Sequence, residues 1–184
     1  MKIKLLNEAN FLINDTILER FLYGKKKDLA INLTKAEDKK KEGVLIKSIN
    51  TIRKYCFKNV STVENIAINA NLSLQIEQFA FENCSKLKTI VFDIKDKVLT
   101  IQSDAFKSCN ELDCVHIKSA SKITIEKDAF SQCYNLRVLI LDSNNVEIRE
   151  NAFESSNNLC IVSKNNDVLK EYCSKNNFEY KGLQ

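Results

Sequence analysis

The chain has 184 residues, 44% of them hydrophobic and 28% charged, and its 28 Lys and Arg against 24 Asp and Glu leave a net charge of only +4. That length supports one domain burying roughly 70% of its unfolded surface, and the apolar content excludes wholesale disorder. Three glycines and no proline exclude collagen-like and flexible-linker chains, and a single histidine, His116, excludes any site built on two imidazoles.

At the N-terminus, Lys2 and Lys4 precede an apolar run that stops at Asn7, short of the roughly 7–15 residues of a signal sequence core. No stretch reaches the ~18 apolar residues of a membrane span. A cytoplasmic location is expected, or a secreted or cell-surface one if a leader has been removed. Residues 1–43 are read as an N-terminal cap: one or two irregular strands, a short helix around residues 17–22, and a charged loop at 35–43. Residues 1–60 hold 14 Lys and Arg against 7 Asp and Glu, so this part is basic while the remainder is acidic. A basic surface suits an acidic partner or a phosphate backbone. Here Glu37, Asp38 and Glu42 interrupt the lysines, and the nearby aromatics Phe21 and Tyr23 read as cap packing rather than as a base-stacking platform. A solvated cap is expected, and nucleic acid is not.

From residue 44 to 163 the chain repeats. Ala-Phe stands at Ala80-Phe81, Ala105-Phe106, Ala129-Phe130 and Ala152-Phe153, and Cys56-Phe57 makes a fifth copy. Four residues before each stands an isoleucine: Ile52, Ile76, Ile101, Ile125 and Ile148. Four residues after stand Val60, Cys84, Cys109, Cys133 and Ser156, and seven after, Val63, Leu87, Leu112, Leu136 and Leu159. Ile66, Ile90, Val115, Leu139 and Val162 occupy the tenth place. The unit reads I-x-x-x-A-F-x-x-C-x-x-L-x-x-I-x-I, and a fixed period of this length marks a solenoid. Its final alternation is a strand with one face buried. The pairs Leu74/Ile76, Leu99/Ile101, Ile123/Ile125 and Val146/Ile148 mark a second strand per coil, and the Ala-Phe segment is a tight turn. One coil cannot bury its own apolar side, whereas stacked coils share a core. Residues 164–184 follow as a C-terminal cap, a helix and then a strand.

These residues resemble the BspA-like branch of the leucine-rich repeat proteins, whose tiers read close to the same pattern, over roughly residues 11–184. The resemblance implies a leucine-rich-repeat solenoid: β-rich, a single right-handed stack of about five tiers with short turns or 3₁₀ segments and a short C-terminal helix. The family often carries Pro after the strand and Gly after the second Ile. Asp93, Lys118 and Asp142, and Glu77, Gln102, Glu126 and Arg149, stand there instead. Many family members are surface or secreted proteins, and the family has no catalytic residues to carry over.

Seven cysteines, an odd number with no CxxC spacing, fit free thiols in a reducing compartment. Cys84, Cys109 and Cys133 share one column with Val60 and Ser156, which fits packing better than a thiolate ladder. Cys114 and His116 flank Val115 and share a face, but residues two apart on a strand hold their side chains about 6–7 Å apart, beyond hydrogen-bond reach. No catalytic residue, cofactor or metal is expected.

Function is therefore sought on the outward positions of the strand ladder, nine and eleven residues after each Ala. The candidate partner-binding residues are Val91, Cys114, His116, Val138, Ile140 and Ile161. Clustered apolar side chains on a surface mark an interface, unless the terminal helix folds back over them. The reading is a non-catalytic protein–protein interaction module with a protein partner, or a homodimer formed through this face. An exported adhesion or host-interaction module of the same fold is the alternative.

Overall fold

A computed structural model of the chain describes residues 3–6, 9–14, 17–21, 27–33 and 49–183. In chain order the elements are β1 (Ile3–Leu6), β2 (Ala9–Asn14), β3 (Ile17–Phe21), β4 (Asp28–Leu33), β5 (Thr51–Ile52), β6 (Asn65–Ala70), β7 (Leu74–Ile76) and β8 (Thr89–Asp93). Then come β9 (Val98–Ile101), β10 (Cys114–Lys118), β11 (Lys122–Ile125), β12 (Val138–Leu141), β13 (Val146–Ile148), β14 (Cys160–Ser163), α1 (Asp167–Asn176) and β15 (Glu179–Gly182). Each coil contributes one strand to each of two sheets. One sheet has eight strands, β1-β2-β3-β5-β7-β9-β11-β13, and the other seven, β15-β14-β12-β10-β8-β6-β4. The chain is a β-solenoid of about five turns, closed by one short helix. Pairing from β3 and β4 onward is parallel, as stacked coils require, while β1, β2 and β3 form an antiparallel meander.

The repeat columns become the core. Ile66 and Ile68, Ile90 and Phe92, Val115 and Ile117, and Leu139 and Leu141 all point inward and are buried. The phenylalanine column is a continuous stack. Phe21, Phe57, Phe81, Phe106, Phe130 and Phe153 follow one another with ring centroids 4.6 to 5.3 Å apart and planes within 17° of parallel. That spacing matches the strand-to-strand distance of ~4.8 Å, so each coil adds one ring. The alanine before each ring is buried because neighbouring turns are joined through it. Phe57 N–H donates to the Ala80 carbonyl, and Phe81 to that of Ala105, each within 2.8 Å. The column cysteines do the same with their thiols. Cys84, Cys109 and Cys133 donate to the carbonyls of Phe57, Phe81 and Phe106 in the preceding coil at 3.1–3.2 Å. Burial first, then Cys109 beside it, holds the Cys133 thiol well above its ordinary pKa, so it is a packing group and not a nucleophile.

Each Ala-Phe turn passes through left-handed backbone twice. The residue before Ala or Cys56 is Tyr55, Phe79, Asp104, Asp128 or Asn151, and the third residue after is Asn59, Asn83, Ser108, Gln132 or Ser155, all with φ of 53–75°. Asp and Asn tolerate that region, whereas aromatic residues rarely enter it. Tyr55 and Phe79 are held there by stacking on each other at 5.6 Å, with Lys54 over both rings.

The structure corrects the sequence reading in two places, the N-terminal cap and the last coil. Among the described residues the cap holds four strands, β1 to β4, where one or two irregular ones are expected. Residues 17–21 form strand β3 rather than a helix, because they pair with β2 on one side and β5 on the other; the charged loop at 35–43 lies outside the described residues. The second correction is in the last coil, where Leu139 pairs with Ile161 and Leu141 with Ser163. Ile161 and Ser163 are therefore fully buried, and Val162 faces outward half-buried. Leu136 stands three residues before its inward partner Leu139, but Leu159 stands only two before Ile161. One residue is missing, and a one-residue slip exchanges the two faces of a strand. The predicted surface residue Ile161 is core.

Past β14 the open end of the core is covered. Helix α1 starts at Asn166, whose side chain accepts from Leu169 N–H at 3.1 Å, and stops at Asn177 in left-handed conformation. It buries Leu169 and Cys173. Phe178 then meets Phe153 edge-on, with planes at 84° and centroids 6.4 Å apart, ending the parallel stack. Strand β15 pairs with β14 as one more rung of the seven-stranded sheet.

Candidate functional site

The outer face of the seven-stranded sheet is built by register. Two outward residues per strand line up along it: Thr89, Cys114, Val138 and Cys160 in one row, and Ala67, Val91, His116, Ile140 and Val162 in the next. Five of the six predicted residues, Val91, Cys114, His116, Val138 and Ile140, share this face and are half-buried. The sixth, Ile161, lies underneath it. Val162 takes its place on the surface, and Cys160 stands in the other row, 9% exposed. Sequence reasoning missed Val162, although the shortened Leu159–Ile161 interval was the signal for it. Helix α1 packs on β15, leaving Val138 and Ile140 half-buried.

Charged rows border this apolar strip. On the leading side Lys27, Glu64, Lys88, Asp113 and Arg137 alternate in sign. Glu64 is bridged to Lys27 at 2.8 Å and to Lys88 at 3.0 Å, and Arg137 to Asp113 at 2.6 Å. Hydrogen bonds from Lys27 and Lys88 pull the Glu64 carboxyl down to about 2. On the trailing side run Asp93, Lys118, Asp142 and Lys164, with Lys164 2.7 Å from Asp142 and holding that carboxyl below its usual range. The residue missing from the last coil is the one that would extend the leading charged row past Arg137.

Cys114 and His116 of β10 both stand on this face. Burial, and then Asp113, raises the Cys114 thiol, so it is protonated at neutral pH. Burial and then Lys118 lower the His116 imidazole, against an opposing pull from Asp142. Among the described residues, no group of three His, Cys, Asp or Glu is placed to hold a metal ion, and no helix is long and apolar enough to cross a membrane. What the face offers is a band of small aliphatic side chains with paired charges on both sides, the arrangement of an apolar interface centre with a polar rim.

The repeat profile described as BspA type leucine rich repeat region matches residues 41–181 in six copies. Among solved structures, the chain is similar to the leucine-rich repeat protein of T. pallidum, with TM-score 0.58 and 20% identity, covering 88% of this chain and 67% of that one. It is also similar to a leucine-rich cell surface protein of Faecalibacterium prausnitzii, with TM-score 0.45 and 20% identity, covering 89% of this chain and 55% of that one. No curated protein sequence matches it.

Proposed function

The chain belongs to the BspA type leucine-rich repeat family, and on that premise we propose that it is a non-catalytic protein-binding module. Its partner docks on the outer face of the seven-stranded sheet. The observation that carries this is the continuity of the strip from Val91 through His116 and Ile140 to Val162, with Cys114 and Val138 beside it, on four successive parallel rungs. A rigid sheet holds these side chains in place before binding, so little conformational entropy is lost when a partner covers them. Each aliphatic side chain covered contributes roughly 1.5–3 kcal/mol before association costs.

We place the module in a reducing compartment such as the cytoplasm, because none of its seven cysteines is joined in a disulfide and six of them are buried. Export to the cell surface is the competing reading, and finding the protein in the culture supernatant decides for it.

The test of the binding face is the double substitution Val138→Lys/Ile140→Lys. Both positions are outward, so the melting temperature should hold while recovery of the partner from the native cell is lost. High salt should leave the wild-type contact in place, since its centre is uncharged. Undiminished partner recovery by a folded double variant overturns the assignment.

A further inference from the structure

The seven-stranded sheet ends at β15. Among the described residues that strand has a neighbour on one side only. The N–H groups of Glu179 and Leu183 point back toward β14 and donate to the carbonyls of Leu159 at 3.0 Å and Ser163 at 2.7 Å. Successive residues of a strand direct their backbone groups to alternate sides, so Tyr180 and Gly182 direct theirs away from β14. Among the described residues, two of the four exposed large apolar side chains, Val168 of α1 at 68% and Leu183 at 39%, belong to this terminal segment. An open edge of this kind is either guarded by its side chains or pairs with another strand.

The charge pattern tells these apart. Glu179 and Lys181 lie on the outer face, one in each ladder row, bridged to each other at 3.0 Å, with Glu179 also in hydrogen-bond contact with the Cys160 thiol, and they are 58% and 61% exposed. We propose that β15 pairs antiparallel with β15 of a second copy, centred on Tyr180, joining two seven-stranded sheets into one. In that register Tyr180 exchanges both backbone hydrogen bonds with Tyr180 of the second copy, as a hydrogen-bonded antiparallel pair requires. Glu179 then stands opposite Lys181 of the second copy, and Lys181 opposite its Glu179, making two cross-strand ion pairs.

The alternatives are disfavoured by the same residues. Parallel self-pairing in register sets Glu179 against Glu179. Head-to-tail stacking, with β15 on β4 of the next copy, continues the row that runs Asp28, Asn65, Thr89, Cys114, Val138, Cys160, Glu179. Glu179 would then face Asp28, and like charges directly opposite are destabilising. The edge thus accepts a closed two-fold pair and rejects an open fibre. A two-fold axis perpendicular to the sheet keeps both outer faces on the same side, so the dimer presents two apolar strips to one partner surface, a geometry suited to bivalent binding.

Sedimentation velocity of the full chain over about 1–500 µM, a range suited to so small an interface, tests this. A monomer–dimer equilibrium is expected. Lys181→Glu alone and Glu179→Lys alone should each weaken it about tenfold or more, and Glu179→Lys/Lys181→Glu together should restore it, since the swapped pair is again complementary. The Val138→Lys/Ile140→Lys variant should dimerise like the wild type. A monomer throughout the range, dimers indifferent to the charge swaps, loss of the dimer in the Val138/Ile140 variant, or species growing beyond two copies would each overturn the proposal.

Discussion

Between Leu112 and Val115, and between Leu136 and Leu139, two residues separate the last turn position from the first inward strand position; between Leu159 and Ile161 there is one. The inner coils and the last coil nonetheless stack in unbroken register. The residue lost is the one that carries the alternating charge in the inner coils, at Lys88, Asp113 and Arg137. A deletion there removes an exposed side chain and leaves the inward positions filled. The comparison shows that burial, rather than count along the chain, sets the register of a strand whose inner face is dry.

The sharpest test of that comparison is a pair of neighbours. Ile161→Asp places an unpaired charge in the core, and the protein should unfold or aggregate. Val162→Asp should stay soluble with a melting temperature within a few degrees of wild type. If the effects are reversed, the last strand sits in the other register.

Next in size is the phenylalanine stack. Phe106→Ala, in the middle of the inner coils, should cost about 3–5 kcal/mol of unfolding free energy, the usual range for a buried ring, as measured by urea denaturation. Phe153→Ala, at the boundary where Phe178 turns edge-on, should cost less, because only one neighbouring ring stacks parallel to it. Equal losses would mean the terminal coil is packed as tightly as the inner ones.

A third test rebuilds the difference. A lysine inserted between Leu159 and Cys160 restores the inner-coil interval. It should change stability by no more than about 1 kcal/mol, the scale of surface changes. The same insertion between Leu139 and Ile140 shifts an inward residue outward and should unfold the chain.

The smallest effect is a pH dependence. His116 in the folded protein takes up its proton at a lower pH than the unfolded chain does. The unfolded state therefore binds the extra proton first, and stability falls as pH drops through the ordinary imidazole value of about 6.5, levelling off below the folded pKa. Thermal denaturation between about pH 7.5 and 5.5 should show a shallower decline in His116→Gln than in wild type.

Much of the candidate face was readable because each column repeats. Four or five copies of an isoleucine or leucine at one offset make the inward assignment redundant, and the outward residues follow by alternation. Ile161 was misplaced because the rule counted residues from Ala152 and gave the interval after Leu159 the same length as in the other coils. The helix expected at 17–22 failed for a related reason. Ile17, Leu18 and Phe21 fit helical spacing, but the partners that make them a strand, β2 and β5, are supplied by the fold.

The sequence by itself determined the solenoid, its period, the identity of the core columns and the family, since a repeated local pattern carries its own register from coil to coil. Only the tertiary structure decided which side of the last strand is buried, that the charges alternate across coils as bridged rows, and that β15 leaves a bare edge with Glu179 and Lys181 on it. Each of these depends on what stands beside a residue one coil away, and a single unrepeated segment offers no pattern from which its neighbour can be read.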